Sequence, residues 1–301
     1  MSLPSALARP IRDAGYARGV ALTLFTALMW STTPLIFRHI EGASPWQVVF
    51  YRSLSVVVAM AIVLAVRYHA SFLVNVRAVG RPGLLAAVCL GSGSVFYIFA
   101  LDYTTVANVA FLVSATPFLA AVLGWLVLSE AVMGRTWICI ALAVAGVGVM
   151  LAEGFAFGGW FGNLLALGTA TCSAIQAVAL RWGRGVDMWP SVMLAGLVAL
   201  GLSAPFVADF AITWRNLGLC VLQGVFISSL CNVLFTICAR HVPAAELTLL
   251  SLVESVLSPL WVWLVLTEAP TSLTLLGGAI VLAAVVLQAM GALRRARAGA
   301  V

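Results

Sequence analysis

Ten stretches of about twenty apolar residues, separated by short polar segments, set the pattern of the chain: 18–37, 46–66, 83–101, 105–128, 135–152, 160–180, 188–207, 216–239, 243–266 and 271–291. That length matches a bilayer core, about 30 Å of helix at about 1.5 Å per residue. None of the runs alternates apolar and polar residues with period two, as lipid-facing barrel strands do. In lipid the backbone must satisfy its own hydrogen bonds, so each run is predicted to be a helix. The expected fold is an all-α membrane protein of ten transmembrane helices.

The pattern also repeats. WLVLSEA at 125–131 returns as WLVLTEA at 263–269, an offset of 138. At the same offset, residues 104–131 lie over 242–269. At an offset of 143, residues 28–40 lie over 171–183, which matches Arg38 with Arg181 and Trp46 with Trp189. The chain therefore reads as two five-helix repeats, 18–152 and 160–291, with an N-terminal tail at 1–17, an outer linker at 153–159 and a basic C-terminal tail at 292–301. Five is odd, so the second repeat is expected to enter the membrane from the opposite side. Inverted repeats of this kind let a site between the halves open alternately to each side.

Charge sharpens the picture. Charged residues make up only 9% of the chain, against about a quarter in soluble domains. All 16 basic residues are arginine, set against 10 acidic ones. With a cytoplasmic N-terminus, 13 arginines fall on the cytoplasmic side and 2, Arg38 and Arg215, on the outer side; Arg52 lies inside a span. That bias places both termini in the cytoplasm of a bacterial-type inner membrane. The arginines are scattered between apolar runs, so the net charge of +6 does not indicate nucleic acid. The N-terminus MSLPSALARPIRDAGYARG is too polar for a signal-peptide core, and the first run is read as a retained helix. The six cysteines lie in apolar stretches without metal-ligand spacing, so neither disulfides nor a metal site is expected.

Polar residues within the runs are the candidate chemistry. Glu254 lies about ten residues into the ninth run, about 15 Å deep, and Arg52 about six residues into the second, about 9 Å deep. Intramembrane charges are costly and usually face a cavity or a partner, so either the two pair or Glu254 is protonated and forms part of a substrate or proton site. The competing reading is that Arg52 snorkels outward and Glu254 is a neutral acid bonded to a neighbouring helix. Polar and aromatic stripes at helical spacing add Trp30, Tyr97, Asn108, Phe111, Phe118, Ser173, Gln176, Asn232 and Ser251 as cavity candidates. Ser94 shares a face with Tyr97. Pro117 and Pro259 interrupt the fourth and ninth runs and are candidate hinges. Glu130 and Glu268 precede the next helix in each repeat and are expected to cap it. The small-residue fifth and tenth runs are expected at the periphery, bracing the bundle or forming a dimer face.

No HExxH, GxSxG or P-loop lysine is present, which argues against an enzyme. An unmatched Glu within an inverted pair suits a carrier better than a channel with rings of charge. Five-plus-five helices, Trp30 late in the first, Arg52 in the second, a proline in the fourth and a Glu just after it resemble the EamA family of the drug/metabolite transporter superfamily. The second half departs from that pattern, with Ala195 at the position matching Arg52 and Ser173 at that matching Trp30. The resemblance covers nearly the whole chain. It implies export of small metabolites, with the bacterial aromatic amino acid exporters as the nearest subgroup and other amphipathic metabolites or drugs as the alternative. The expected partners are that small molecule and the lipid bilayer, with no cofactor, and the chain acts as a monomer or a homodimer.

Overall fold

The structure is a computed structural model that describes residues 14–104, 106–130, 132–151, 160–266 and 272–298. Every regular element among them is helical. The first part holds α1 (Ala14–Trp30), α2 (Thr33–Arg38), α3 (Pro45–Tyr68), α4 (Phe72–Ala78), α5 (Gly80–Tyr103), α6 (Val106–Val113), α7 (Thr116–Leu128) and α8 (Gly134–Leu151). The second holds α9 (Trp160–Trp182), α10 (Trp189–Ser203), α11 (Trp214–Leu222), a π-helical segment (Gln223–Leu230), α12 (Cys231–His241), α13 (Ala244–Ser251), α14 (Val253–Leu266) and α15 (Ser272–Ala298).

Six helical stretches are long and apolar enough to cross a membrane: Gly15–Arg38, Pro45–Ala78, Gly80–Tyr103, Trp160–Trp182, Trp189–Phe206 and Trp214–His241. Shorter apolar helices cover Thr116–Leu128, Gly134–Gly146 and Leu275–Gln288. The count differs from the ten apolar runs partly because the chain breaks inside two of them. The run 105–128 parts at Ser114 and Ala115, and the run 243–266 parts at Leu252. Ser114 and Leu252 are 138 residues apart, the offset of the sequence repeat.

The first break follows from Pro117, which has no N–H to give to the Val113 carbonyl. The Thr116 hydroxyl donates to that carbonyl instead, at 2.6 Å. Pro259 behaves differently from the expected interruption. α14 continues through it, and the break lies seven residues earlier, at Leu252. A further break separates α1 from α2 at Ser31 and Thr32, whose hydroxyls donate to the carbonyls of Leu28 and Met29. α14 takes up the exposed groups: the Ser258 hydroxyl donates to the Ser31 carbonyl at 3.1 Å, and the Trp261 indole to the Ser31 hydroxyl at 2.7 Å. Non-helical backbone is thus satisfied by protein at each break, as it must be away from water.

The parts of the chain on either side of residues 152–159 interleave. α5 packs on α9 and α10, α3 on α10 and the π-helical segment, α1 on α12 and α13, and α7 on α9 and α13. Contacts gather at two ends of the bundle. At the near end, where α1 begins, Gly15 meets His241 and Gly83 meets Met188. At the far end, Gly162 meets Tyr103 and Thr104. Here the Gln47 amide donates to the carbonyls of Asp209 and Ala211, and Trp46 stacks on Phe206. Ser44 starts α3 there through a capping box with Gln47.

The small-residue helices α8 and α15 pair with each other. They run antiparallel: Arg135 donates to the Leu287 carbonyl at one end, and Gly146 faces Gly277 toward the other. A Cβ at Gly146 would lie 2.9 Å from the Gly277 carbonyl oxygen and 3.0 Å from the Ile280 Cβ. Gly146→Leu is therefore expected to cost about 1–3 kcal/mol by overpacking, a loss of several degrees in Tm for purified protein in detergent. Gly124→Ala, where a Cβ meets nothing within 4 Å, is expected to show no such loss.

Candidate functional site

A cavity of about 200 Å³ opens at the centre of the interleaved helices. Residues from before the 152–159 segment (Trp30, Arg52, Tyr97) and from after it (Gln176, Asn232, Glu254) share its wall. Ser173 also lines it. Trp30 is fixed by α12, its ring 5.3 Å from that of Phe235. The Gln176 amide donates to the Asn232 side-chain oxygen at 3.4 Å, joining α9 to α12. The π-helical segment brings Ile227 and Ser228 to the same wall, and the Asn232 amide donates back to the Ser228 carbonyl at 2.7 Å. A π turn widens the helix by one residue and is often found at functional sites.

Arg52 is buried and does not snorkel. Its guanidinium donates to the Ser94 hydroxyl and, at 3.2 Å, to the Ser94 carbonyl. This is the role of the Ser94 face noted on α5. The expected Arg52–Glu254 pair is not formed: among the described residues no ion pair includes either side chain. Tyr97 lines the cavity together with both. Glu254 sits in the first turn of α14, just after the break at Leu252, where the helix dipole favours a carboxylate.

Two expected cavity residues lie elsewhere. Phe118 is 49% exposed and packs edge-on against Trp137 of α8. The break at Ser114 and Ala115 resets the helical phase, so residues before and after it no longer share one face. Ser251 closes α13 with its hydroxyl on the Leu247 carbonyl at 3.0 Å, away from the cavity wall. Asn108 and Phe111 belong to α6, but their side chains lie outside the described residues, as does that of Pro259. Glu268 is likewise outside the described residues.

Glu130 corrects the capping expectation. Its carboxylate accepts from the Arg181 Nε at 2.6 Å, so it turns toward α9 rather than the start of α8. Arg181 is buried and also donates to the carbonyls of Arg240 at 2.7 Å and Ala239 at 3.3 Å. Beside it, Asp187 meets Arg67 at 3.1 Å, Arg240 at 3.8 Å and the Tyr68 hydroxyl at 2.7 Å. The Arg67 guanidinium lies 4.0 Å over the Trp189 ring. The near end is therefore tied by charge across α3, α9 and α12. The far end is tied mainly by neutral hydrogen bonds and rings. Sequence reasoning counted Arg181 among the solvent-facing arginines. The signal that marked it was its match to Arg38 in the repeat.

The EamA-like transporter family matches residues 17–152 and again 160–290. The chain belongs to that family. Its two-segment architecture is that of the family, and the break between the matched segments falls at residues 153–159. Its relatives bear the names of transporters. An uncharacterized transporter of Vibrio cholerae is 24% identical over 85% of this chain and 86% of its own. The pseudopaline exporter CntI of Pseudomonas aeruginosa is 25% identical over 88% of this chain and 94% of its own. Solute carrier family 35 member G1 of Mus musculus is 23% identical over 69% of this chain and 59% of its own. A solved crystal structure superposes with a TM-score of 0.76 at 19% identity, covering 92% of this chain and 99% of the other, a likeness of fold. This EamA-family chain is thus a multi-pass membrane transporter, with a small molecule as the cargo its family implies.

Proposed function

We propose that the chain is a secondary carrier that exports small amphipathic metabolites, aromatic amino acids foremost, by alternating access. The observation that carries this reading is the central cavity, walled jointly by the two family-matched segments. A site on the seam between two similar halves changes its exposure when one half rocks against the other. In this reading the segments cross the membrane five times each, in opposite senses, with residues 1–17 and 292–301 in the cytoplasm of a bacterial inner membrane. The helix breaks at Ser114 and Leu252, set at the repeat offset and near Pro117 and Pro259, are the points of bending. The cavity wall named above comes from one chain, in keeping with a monomer or a homodimer of such units. Trp30 and Tyr97 offer ring faces, while Gln176, Asn232 and the two charges offer polar recognition, a mixture that suits a cargo with an apolar body and a polar head.

The test is counterflow in proteoliposomes. Vesicles preloaded with unlabelled phenylalanine are expected to take up external labelled phenylalanine faster than empty ones, saturably. Uptake that is linear in concentration and indifferent to preloading would mark a pore and reject the carrier. Saturable counterflow of other amphiphiles, with none of phenylalanine, tryptophan or leucine, would keep the carrier and reject the amino acids.

A further inference from the structure

Arg52 and Glu254 line the same central cavity without pairing with each other. Arg52 is buried, and its described partners are the carbonyl and hydroxyl of one serine, both neutral. A guanidinium carries five N–H donors in a planar fork, and these contacts engage only one of its terminal nitrogens. The Nε–H and Nη1 donors have no described partner and can donate to a carboxylate. Glu254 lines the same cavity from the opposite segment, and no described cation reaches it. At this depth an unpaired guanidinium is costly and a carboxyl without a cation favours its neutral form, and a ligand that brings a carboxylate to the first and an ammonium to the second pairs both.

A carboxylate alone would compensate Arg52 and leave Glu254 as a neutral acid without an ionic partner, and an amine alone would leave the guanidinium uncompensated. A dication or a dianion would meet one like charge. A zwitterion satisfies both, and Tyr97 together with Trp30, on the same cavity wall, offers a bed for its apolar body. We propose that the cavity reads the two ends of a zwitterion: Arg52 takes a carboxylate and Glu254 an ammonium. Ser94 is a positioning residue, since it holds the guanidinium toward the cavity through two contacts. The class includes any small amine-bearing carboxylate with an apolar body, and it rests on the carrier reading only for the statement that the bound molecule is transported.

The test separates binding from transport. Purified full-length protein in nanodiscs is titrated with phenylalanine, phenethylamine and 3-phenylpropionate, and with leucine and its amine-only and acid-only counterparts, by ligand-induced thermal shift. In each series the zwitterion is expected to bind about 50-fold or more tightly than either charge-deleted analogue. Glu254→Gln is expected to bring the acid-only analogue to within a few-fold of the zwitterion, and Arg52→Gln to do the same for the amine. Ser94→Ala, which keeps the guanidinium, is expected to weaken the zwitterion and the acid together and leave the amine unchanged. If Arg52→Gln does not fold, Ser94→Ala and Glu254→Gln carry the comparison. Equal affinity of zwitterion and acid in the wild type would mean that Glu254 places no charge in the site and would overturn the proposal. So would the absence of binding by any zwitterion in protein that shows counterflow of another solute, an outcome that leaves the carrier reading intact. Charge-selective binding without counterflow would uphold the zwitterion site and reject the carrier.

Discussion

Arg181→Ala protein is expected to loosen at its near end, which in the proposed carrier cycle opens the cavity to that side. The arginine joins Glu130 to the carbonyls that end α12, so its removal frees two helices at once and leaves the carboxylate without its described partner. Breaking a buried pair in this way costs about 3 kcal/mol. In a molecule poised between two states that is about a hundredfold change in their ratio. Cys238 reports it directly. It is a fully buried free thiol next to Ala239, whose carbonyl Arg181 holds. With Cys89, Cys139, Cys172, Cys220 and Cys231 replaced by alanine, Cys238 is expected to resist a membrane-impermeant maleimide in the parent and to react in Arg181→Ala. The double variant Arg181→Ala with Glu130→Ala is expected to be more stable than Arg181→Ala alone, because it no longer holds a stranded carboxylate. Equal labelling of parent and Arg181→Ala would mean that the ion pair does not close this end.

Gly224→Val is expected to damage stability and transport together. A Cβ at Gly224 would lie 2.6 Å from the Arg52 carbonyl oxygen and 2.7 Å from the Ser55 Cβ. The π-helical segment rests directly on the turn of α3 that carries Arg52, and any side chain there pushes the two apart. Overpacking of this kind costs about 1–3 kcal/mol, which at about 2–4 °C per kcal/mol lowers Tm by several degrees. Because the displaced backbone is that of Arg52, affinity for cargo is expected to fall about tenfold or more, read as KM in the counterflow assay. Gly218→Ala in α11, with open space around it, is expected to leave both unchanged. Wild-type Tm and KM in Gly224→Val would remove this contact from the working structure.

The apolar runs and the two-part repeat were legible because lipid leaves a chain few ways to satisfy its backbone, and those ways write themselves into long stretches of sequence. The places where helices stop inside a run were less so. Pro117 announced a disturbance, but the break sits two to three residues before it, and nothing local marks Leu252 except its register with Ser114. That same reset misplaced Phe118, which an unbroken helix would have turned toward Asn108. Arg52 and Glu254 were found by depth alone and do share a cavity. Of the two readings offered for them, pairing is not formed, because depth along the bundle says nothing of separation across it and Ser94 holds the guanidinium. Glu130 and Arg181 meet across 51 residues of chain, a distance over which helical periodicity carries no information. The π-helical segment, whose Gly224 packs against the backbone of α3, left no sign in composition.

The pairing of α8 with α15 bears on how the protein is made. α8 ends at residue 151, and its partner begins at residue 272. At ordinary ribosomal speed the intervening chain takes on the order of ten seconds to synthesise. For that interval the face around Gly146 has only lipid or the insertion machinery for company. The first half cannot finish folding by itself, so a product cut short before α15 carries an unpaired seam in the bilayer, a feature that a membrane protease can recognise and the completed chain hides.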